Sequence, residues 1–555
     1  MNRKMMLIIL GILTISQMCG FVGGHGASGE IYSSLSHMKD LFIFDNKVGE
    51  ILESLPQHVP EVARYKDSYN SLSQDVQALG KGDYLSTAIT GNPILLFTLI
   101  KRLVLFWPTM KRVIAHSPQF NPNCTDLYDK CSIWADLLEC KLNPEFMMAY
   151  CKTSCGVCGG SVMQEKISNL LELEKITDIP SDNDLRGAAL ALARLQEVYR
   201  LPIHQMVSGK IDNVQTSARL NAFDCVRIAN ESFYESRYAN SYLWYRQAAA
   251  ISNDPEQSNF IQLLIGQVTM EHDDNFVEGS HFFFPVPLSK AKLQYTWDSP
   301  FNKLCRGETL VDQATLAGLK CYVSDRGSPY LILHPIKYEH VHNNPEMYVF
   351  HEVIFDEEIQ AIKDTATSLL QRSLVVSSER PVEFRVSHTA WLSDSRHPVL
   401  PKIAKRVSAI TGLTTFQGPL NDTAVEELQV LSYGIGGHYS QHKDFFWKEF
   451  PEETWPSYKE KLEHYSSGDR MATWMFYLSE VEAGGRTAFP RAGVSVVPVK
   501  GSAVFWYNIK KNGYGNTNSE HGGCPVLLGH KWVANKWIRE NRNFLRRPCS
   551  LDPDE

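Results

Sequence analysis

The sequence predicts an α+β multidomain protein, and three observations predict it. Apolar residues recur at i, i+3, i+4 and i+7 through much of the N-terminal half, the period of one helix face. Six cysteines crowd into 35 residues, Cys124 to Cys158. Beyond Met347 short β-branched and aromatic runs alternate with turn residues, the grammar of an all-β sandwich or barrel. With 555 residues the chain exceeds one ordinary core, so several domains are expected. Apolar residues at 43% and charged residues at 21% suit globular folding throughout. A net charge of -7 and a pI near 6.2 argue against a nucleic-acid partner.

Residues 1–24, "MNRKMMLIILGILTISQMCGFVGG", set Arg3 and Lys4 ahead of a short apolar run. The run is too short to span a bilayer and reads as a cleaved secretory signal peptide. No later segment is expected to cross a membrane, so the mature chain should be soluble in the secretory pathway, where disulfides form. The C-terminal "SLDPDE" carries no KDEL-type tail, so retention in the endoplasmic reticulum would need a partner. Residues 25–118 are expected to be helical. Within them "SSLSHMKDLF" and "NPILLFTLIKRLVLFW" read as an αα-hairpin, whose apolar stripe packs on a second copy or inside a private bundle.

The six-cysteine segment, 119–160, is too small to fold on a core of its own, and three disulfides would supply the missing constraint. Cys155 and Cys158 form a CxxC, which also suits zinc, but the segment lacks histidine and the compartment favours bridges. Sequence alone leaves the pairing open. The spacing, with "CTD", "WA" and "CKTSCGVC", resembles the ShK-toxin-like module. That resemblance implies Cys124 with Cys158, Cys131 with Cys151 and Cys140 with Cys155, in an accessory domain.

Helical periodicity resumes in 161–265 with "DNDLRGAALALARLQEVYRL" and "FDCVRIANESFYESRYANSYLWYRQAAAI". The second stretch resembles one tetratricopeptide-like helix pair. Its aromatics, among them Tyr234, Tyr238 and Tyr242, are either core or a platform for polyproline II peptides. One pair cannot close a solenoid. Residues 266–340 read as a linker region, which leaves the peptide domain short. Further on, Asp356 reads as an N-cap with Ile359, Ile362, Ala366 and Leu369 on one helical face. The strands "ELQVLSYG", "ATWMFYLS", "VSVVP", "SAVFWYN" and "KWVANKW" follow.

The chemistry concentrates in "GGHYSQHKDFF". On a strand, residues i and i+2 share a face, so His442 and Asp444 project together. His521 in "SEHGGCP" offers a third ligand, and two histidines with one carboxylate form the facial triad that suits non-haem Fe(II). Lys531 stands in an otherwise apolar strand, where an ammonium is costly unless it meets an anion such as a metal-bound dicarboxylate. An isolated lysine would be read as a surface side chain. Here Thr487 and Tyr433 add hydroxyl groups for the same anion.

Taken together, "LQVLSYGIGGHYSQHKDF", "MATWMFYLSEVEAGGRTAFP", "GSAVFWYN" and "EHGGCPVLLGHKWVANKWI" resemble the catalytic domain of collagen prolyl 4-hydroxylase α subunits. "GNPILLFTLIKRL" is similar to that family's dimerisation segment, "LARLQEVYRL" to its linker and "LCRGE" to the start of its catalytic region. The six-cysteine module stands as an insertion. The resemblance implies a double-stranded β-helix (jelly-roll) dioxygenase domain over 341–549. It implies Fe(II) on His442, Asp444 and His521, and the C5 carboxylate of 2-oxoglutarate on Lys531 with Tyr433 and Thr487. O2 and L-ascorbate come with it. So does the reaction, in which 2-oxoglutarate is decarboxylated to succinate and CO2 as proline in Xaa-Pro-Gly repeats becomes 4-hydroxyproline. It further implies bridges Cys305 to Cys321 and Cys524 to Cys549, a free Cys225, protein disulfide isomerase as partner, and the endoplasmic reticulum lumen as location. One departure is Arg539, where vertebrate members carry histidine. Beside this reading stand a same-fold hydroxylase of a non-collagen secreted substrate and an inactive secreted binding protein. Asn123, Asn230 and Asn421 open glycosylation sequons.

Overall fold

The computed structural model describes residues 35–116, 125–156, 161–276, 287–288, 298–373, 385–417, 424–446 and 467–552. The expected signal peptide, the Cys124–Cys158 bridge and the sequons at Asn123 and Asn421 lie outside them. Asn230 lies on a helix, with its side-chain carbonyl accepting from the Tyr245 hydroxyl.

The N-terminal helices are α1 (Leu35–Gly49), α2 (Pro60–Ala78), α3 (Thr87–Thr90), α4 (Pro93–Leu105) and α5 (Trp107–His116). Asn92 caps α4 by accepting from the N–H groups of Ile94 and Leu95, with Pro93 at the first helical position. Nearly all of α4 is buried, from Pro93 through Leu103. A helix apolar on every side must be covered on every side, and α1, α2 and a later helix do this within the chain. Of the two coverings expected for this stripe, a second copy or a private bundle, α4 shows the second. Arg102 enters this core only because Asp45 accepts from it at 2.7 and 2.5 Å while also accepting from Tyr65. Among the described residues no single helix is long and apolar enough to cross a membrane; α4 and α5 together have the composition but meet at a 41° bend.

The cysteine module holds three short helices, α6 (Cys131–Asp136), α7 (Glu139–Leu142) and α8 (Pro144–Tyr150). Bridges Cys131–Cys151 and Cys140–Cys155 staple them, with Cα separations of 5.1 and 5.6 Å. Next come α9 (Ser161–Ile176), α10 (Asp182–Tyr199), α11 (Ala222–Tyr234), α12 (Tyr238–Ile251) and α13 (Pro255–Asp274). Helix α13 runs through the expected limit at 265. Its apolar stripe is faint, since only Ile261, Val268 and His272 are buried. The sign of it is at its start, where Asp254 caps and Pro255 opens the helix.

Two main antiparallel sheets and a separate two-stranded one form the C-terminal unit. Its strands are β1 (Cys321–Ser324), β2 (Ile336–Asn343), β3 (Glu346–His351), β4 (Gln371–Arg372), β5 (Arg385–Val386), β6 (His388–Leu392), β7 (Leu428–Tyr433) and β8 (His438–His442). They continue with β9 (Arg470–Tyr477), β10 (Ala483–Gly484), β11 (Thr487–Phe489), β12 (Val494–Val496), β13 (Ala503–Tyr507), β14 (His521–Gly523), β15 (Val526–Leu528) and β16 (Lys531–Arg539). Among the described residues the larger sheet orders as β1-β2-β3-β13-β9-β16-β7-β6-β4 and the smaller as β12-β11-β14-β8-β5. Side chains from both, including Met475, Tyr477, Phe489 and Trp506, fill the space between them. The outer face of the larger sheet is covered by α15 (Asp356–Thr367) and α16 (Val399–Thr411). Asp356 is the first residue of α15 rather than its cap, and Glu358 accepts from the Phe355 N–H. Covered on both faces, the central strand β16 is buried almost throughout. Strand β1 and the first part of β2 fall inside the stretch expected to be linker, because their pairing extends the larger sheet at its edge.

The expected bridges Cys305–Cys321 and Cys524–Cys549 are not formed. Cys305, closing α14 (Pro300–Cys305), joins Cys524 with a Cα separation of 5.5 Å. Cys321 and Cys549 are exposed thiols, and Cys225 is a buried one. Packing explains the exchange. Helix α14 lies on the smaller sheet with Phe301 over Gly522, where a Cβ would stand 2.7 Å from its ring, whereas Cys321 sits exposed on the edge strand. Peptide mapping after thiol alkylation is expected to yield a Cys305–Cys524 cross-link with Cys321 and Cys549 alkylated; linked Cys305–Cys321 peptides would refute this connectivity.

Candidate active site

Pairing of β8 with β14 sets His442 opposite His521. Asp444 lies just past the end of β8, at a bend rather than on the strand, and its carboxylate turns inward to 3% exposure. His442 Nε2 is 3.7 Å and His521 Nε2 3.9 Å from the Asp444 oxygens. One donor atom from each residue falls within 4.8 Å of the others, close enough for a single ion to bridge them. Each imidazole uses its other nitrogen on a backbone carbonyl, His442 Nδ1 on Ser440 at 2.9 Å and His521 Nδ1 on Ser519 at 3.0 Å. With Nδ1–H donating there, Nε2 keeps its lone pair for a metal. The donor set therefore fits Fe(II).

A second tier, invisible to the spacing argument, holds the carboxylate. Thr473 on β9 donates to Asp444 Oδ2 at 2.6 Å and accepts from Asn508 at 2.8 Å. Burial opposes ionisation of Asp444, but His521, His442, the more distant Arg470 and the Thr473 hydroxyl keep its carboxyl below the ordinary value. Tyr439 stacks on the His442 ring at 3.7 Å, and Phe489 and Trp506 flank His521 at 5.4 and 4.7 Å. These rings restrict the imidazoles and keep water away. Thr473 was discoverable as a polar residue inside an apolar strand; Asn508 had no such signal.

A buried lysine stands on β16. Register places Lys531 opposite Tyr433, with Nζ 5.6 Å from the Tyr433 ring and 5.8 Å from that of Tyr477. Thr487 is hydrogen-bonded to the Tyr477 hydroxyl at 2.9 Å, which adds Tyr477 to the group. Lys531 is 3% exposed, and burial pulls its pKa down to about 7. Lys536 on the same strand is equally buried but meets Asp394 at 3.1 Å; among the described residues no carboxylate meets Lys531. A buried amine without a counterion, beside the rings of Tyr433 and Tyr477, has the chemistry to receive a carboxylate. Arg539, eight residues on and thus roughly 26 Å along the strand, is held by Glu426 at 2.8 Å.

Of the three tyrosines expected to bind peptide, Tyr234 lines a groove. The groove, about 1360 Å³ in volume, separates α2 and α4 from α10 and α11 and is bordered by Arg64, Lys101, Arg186, Phe223 and Arg227. Tyr238 packs on Phe233 and Tyr242 lies beneath Arg246.

Two facing antiparallel sheets with a His-x-Asp and a distant histidine converging on one point define a 2-oxoglutarate- and Fe(II)-dependent dioxygenase. The model of the 2OG-Fe(II) oxygenase superfamily matches residues 428–539, that of the prolyl 4-hydroxylase alpha-subunit N-terminal region 160–213, and the ShK domain-like model 123–158. Prolyl 4-hydroxylase subunit alpha-3 of Homo sapiens is 31% identical over 553 residues, covering 89% of this chain and 88% of its own. Subunit alpha-1 of Mus musculus is 34% identical over 424 residues, 67% of this chain and 77% of its own. The chain belongs to the prolyl 4-hydroxylase alpha-subunit family. Among solved structures, the viral collagen prolyl hydroxylase of Paramecium Bursaria Chlorella virus-1 overlaps 35% of this chain and 95% of its own at 24% identity and a TM-score of 0.27.

Proposed function

We propose that this chain hydroxylates proline at C4 in collagen-like Xaa-Pro-Gly sequences, with His442, Asp444 and His521 as the Fe(II) ligands and Lys531, Tyr433 and Thr487 receiving the C5 carboxylate of 2-oxoglutarate. The observation that carries this reading is the convergence of three ligand atoms within 4.8 Å. When bound, iron and 2-oxoglutarate supply the oxidising chemistry with O2, and ascorbate keeps the metal reduced. The chain's own residues do the rest. Ser440 and Ser519 carbonyls orient the imidazoles, Thr473 orients Asp444, and Lys531 balances the charge of the cosubstrate. Tyr439, Phe489 and Trp506 exclude water.

The groove beside Tyr234, about 1360 Å³ in volume, is in our reading the peptide site, and its exposed tyrosine ring suits proline stacking. Tyr234→Ala is expected to raise the peptide KM by roughly fivefold and leave the 2-oxoglutarate KM unchanged; equal peptide KM values would remove the groove from the substrate path. The relatives are named as subunits, which supports an assembly with a second chain. Protein disulfide isomerase is that chain in our reading, and the endoplasmic reticulum lumen the site of action.

The deciding experiment is succinate release by protein co-expressed with protein disulfide isomerase, given Fe(II), 2-oxoglutarate and ascorbate, with Pro-Pro-Gly repeats or a proline-free peptide. Succinate that requires the repeats, matched by 4-hydroxyproline, is the expected result. Peptide-independent succinate would keep the dioxygenase and overturn the collagen-like substrate.

A further inference from the structure

We propose that helix α10, outside the catalytic domain, is a positioning element of the active site: Ala191, Arg194 and Tyr199 hold in register the two chain connections that each join an iron residue to an oxoglutarate residue, and thereby set the affinity for 2-oxoglutarate. The proposal rests on the site reading given above. The first connection runs from Tyr433 through Gly436 to His442, the second from His521 through Pro525 and Gly529 to Lys531.

Helix α10 touches both. Arg194, 4% exposed, donates from Nη1 to the Gly436 carbonyl at 3.1 Å. At Gly436, with φ at +66°, an added Cβ would stand 2.7 Å from Ala191 Cβ, so helix and turn are at closest approach. Tyr199 donates to the Pro525 carbonyl at 2.5 Å. The two connections are also bonded to each other, Gly436 N–H to Val526 at 2.8 Å and Val526 N–H to Gly437 at 3.1 Å. A shift of the helix therefore moves both.

Two further ties support the same segment. The Gly529 N–H donates to Gly91 at 3.0 Å, two residues before Lys531, and a Cβ on Gly91 would meet Gly529 Cα at 2.7 Å. Arg306, next to the Cys305–Cys524 bridge, donates to the Val198 carbonyl at 3.0 Å. Ile435, Leu527 and Leu528 of the connections belong to the same buried cluster as Leu192 and Leu195 of α10. Side chains that leave the catalytic domain to join a helical core cannot be held in place by the barrel alone. The named α10 residues act through these backbone segments, so they are positioning residues.

The test uses the full chain in its assembly and compares Tyr199→Phe, Arg194→Met, Arg194→Lys and Gly91→Leu. The readout is calorimetric titration of oxygen-free, Fe(II)-loaded protein with 2-oxoglutarate, beside KM for cosubstrate and for peptide. Loss of one buried hydrogen bond should weaken 2-oxoglutarate binding roughly fivefold in Tyr199→Phe and tenfold in Arg194→Met, and the side chain forced against the Gly529 backbone should weaken it about tenfold in Gly91→Leu. Arg194→Lys should recover part of the loss, and the peptide KM should stay at the wild-type value. Tyr199→Phe, the smallest change, decides the matter if the others fold poorly. Unchanged cosubstrate affinity in Tyr199→Phe, or an equal rise in both KM values, overturns the proposal. Wild-type protein that binds no 2-oxoglutarate would instead overturn the site reading beneath it.

Discussion

His442→Ala and His521→Ala are each expected to lower turnover at least about a thousandfold while leaving the protein folded. Each substitution removes an Nε2 donor, and no other histidine or acid among the described residues joins this cluster to replace it. Folding should survive because the strands bearing them are held by ladders beyond those two side chains, Tyr439 with Gly523 in one register and Thr487 with Gly523 in the next. Thr473→Val is the graded counterpart. It deletes the 2.6 Å hydrogen bond to Asp444 without touching a ligand and should weaken Fe(II) binding about 10- to 100-fold, with activity partly restored by excess iron. Metal analysis and succinate release read both. A His442→Ala protein that retains iron and turnover would overturn the ligand assignment, and Thr473→Val with wild-type iron affinity would reduce the second tier to packing.

What could be read in advance follows from the kind of information each feature carries. The convergence of the triad residues and the burial of Lys531 were legible because they reduce to residue type and spacing: an HxD, a later histidine, a lysine where the strand pattern demands an apolar residue. Tyr477 and Asn508 were not, because their roles depend on which strand lies beside which; Thr473 stood out as a polar residue in an apolar strand, but its pairing with Asp444, 29 residues away, leaves no local trace. The helical period of α4 gave its secondary structure but not its neighbours. An apolar surface asks only to be covered, and α10 answers that request as well as a second copy would. The bridge from Cys305 to Cys524 spans 219 residues and depends on where α14 docks, so no count of cysteines selects it over Cys305–Cys321. The end of β8 is a smaller case. Period-two alternation put His442 and Asp444 on one face, and they do point together, but through a bend at Asp444 that alternation alone does not describe.

Binding of 2-oxoglutarate is expected to be coupled to proton uptake by Lys531, and Lys531→Met to weaken it about a hundredfold or more. The pKa of this lysine is lowered by burial from its ordinary 10.5 to about 7, and the aromatic walls of Tyr433 and Tyr477 carry no charge to restore it. A bound carboxylate would. Above pH 7 the free protein holds a neutral amine, so forming the ion pair takes a proton from solution, and the dissociation constant should rise roughly tenfold per pH unit above that point. Below pH 7 the ammonium is already present and the dependence should flatten. The same shift has the opposite sign for the empty fold. The unfolded lysine stays charged up to about pH 10.5, so the cost of burying it grows as pH falls from there toward 7 and is constant below. Lys531→Met should therefore raise the melting temperature of the cosubstrate-free protein, more at pH 6.5 than at pH 9, even as it destroys cosubstrate binding. Calorimetry in buffers of different ionisation enthalpy counts the protons directly. No uptake at pH 8, with affinity constant across the range, would mean that Lys531 is charged in the empty site or that the carboxylate is held elsewhere. A variant that is both more stable and unable to bind would show that the buried cation is kept for its ligand rather than for the fold.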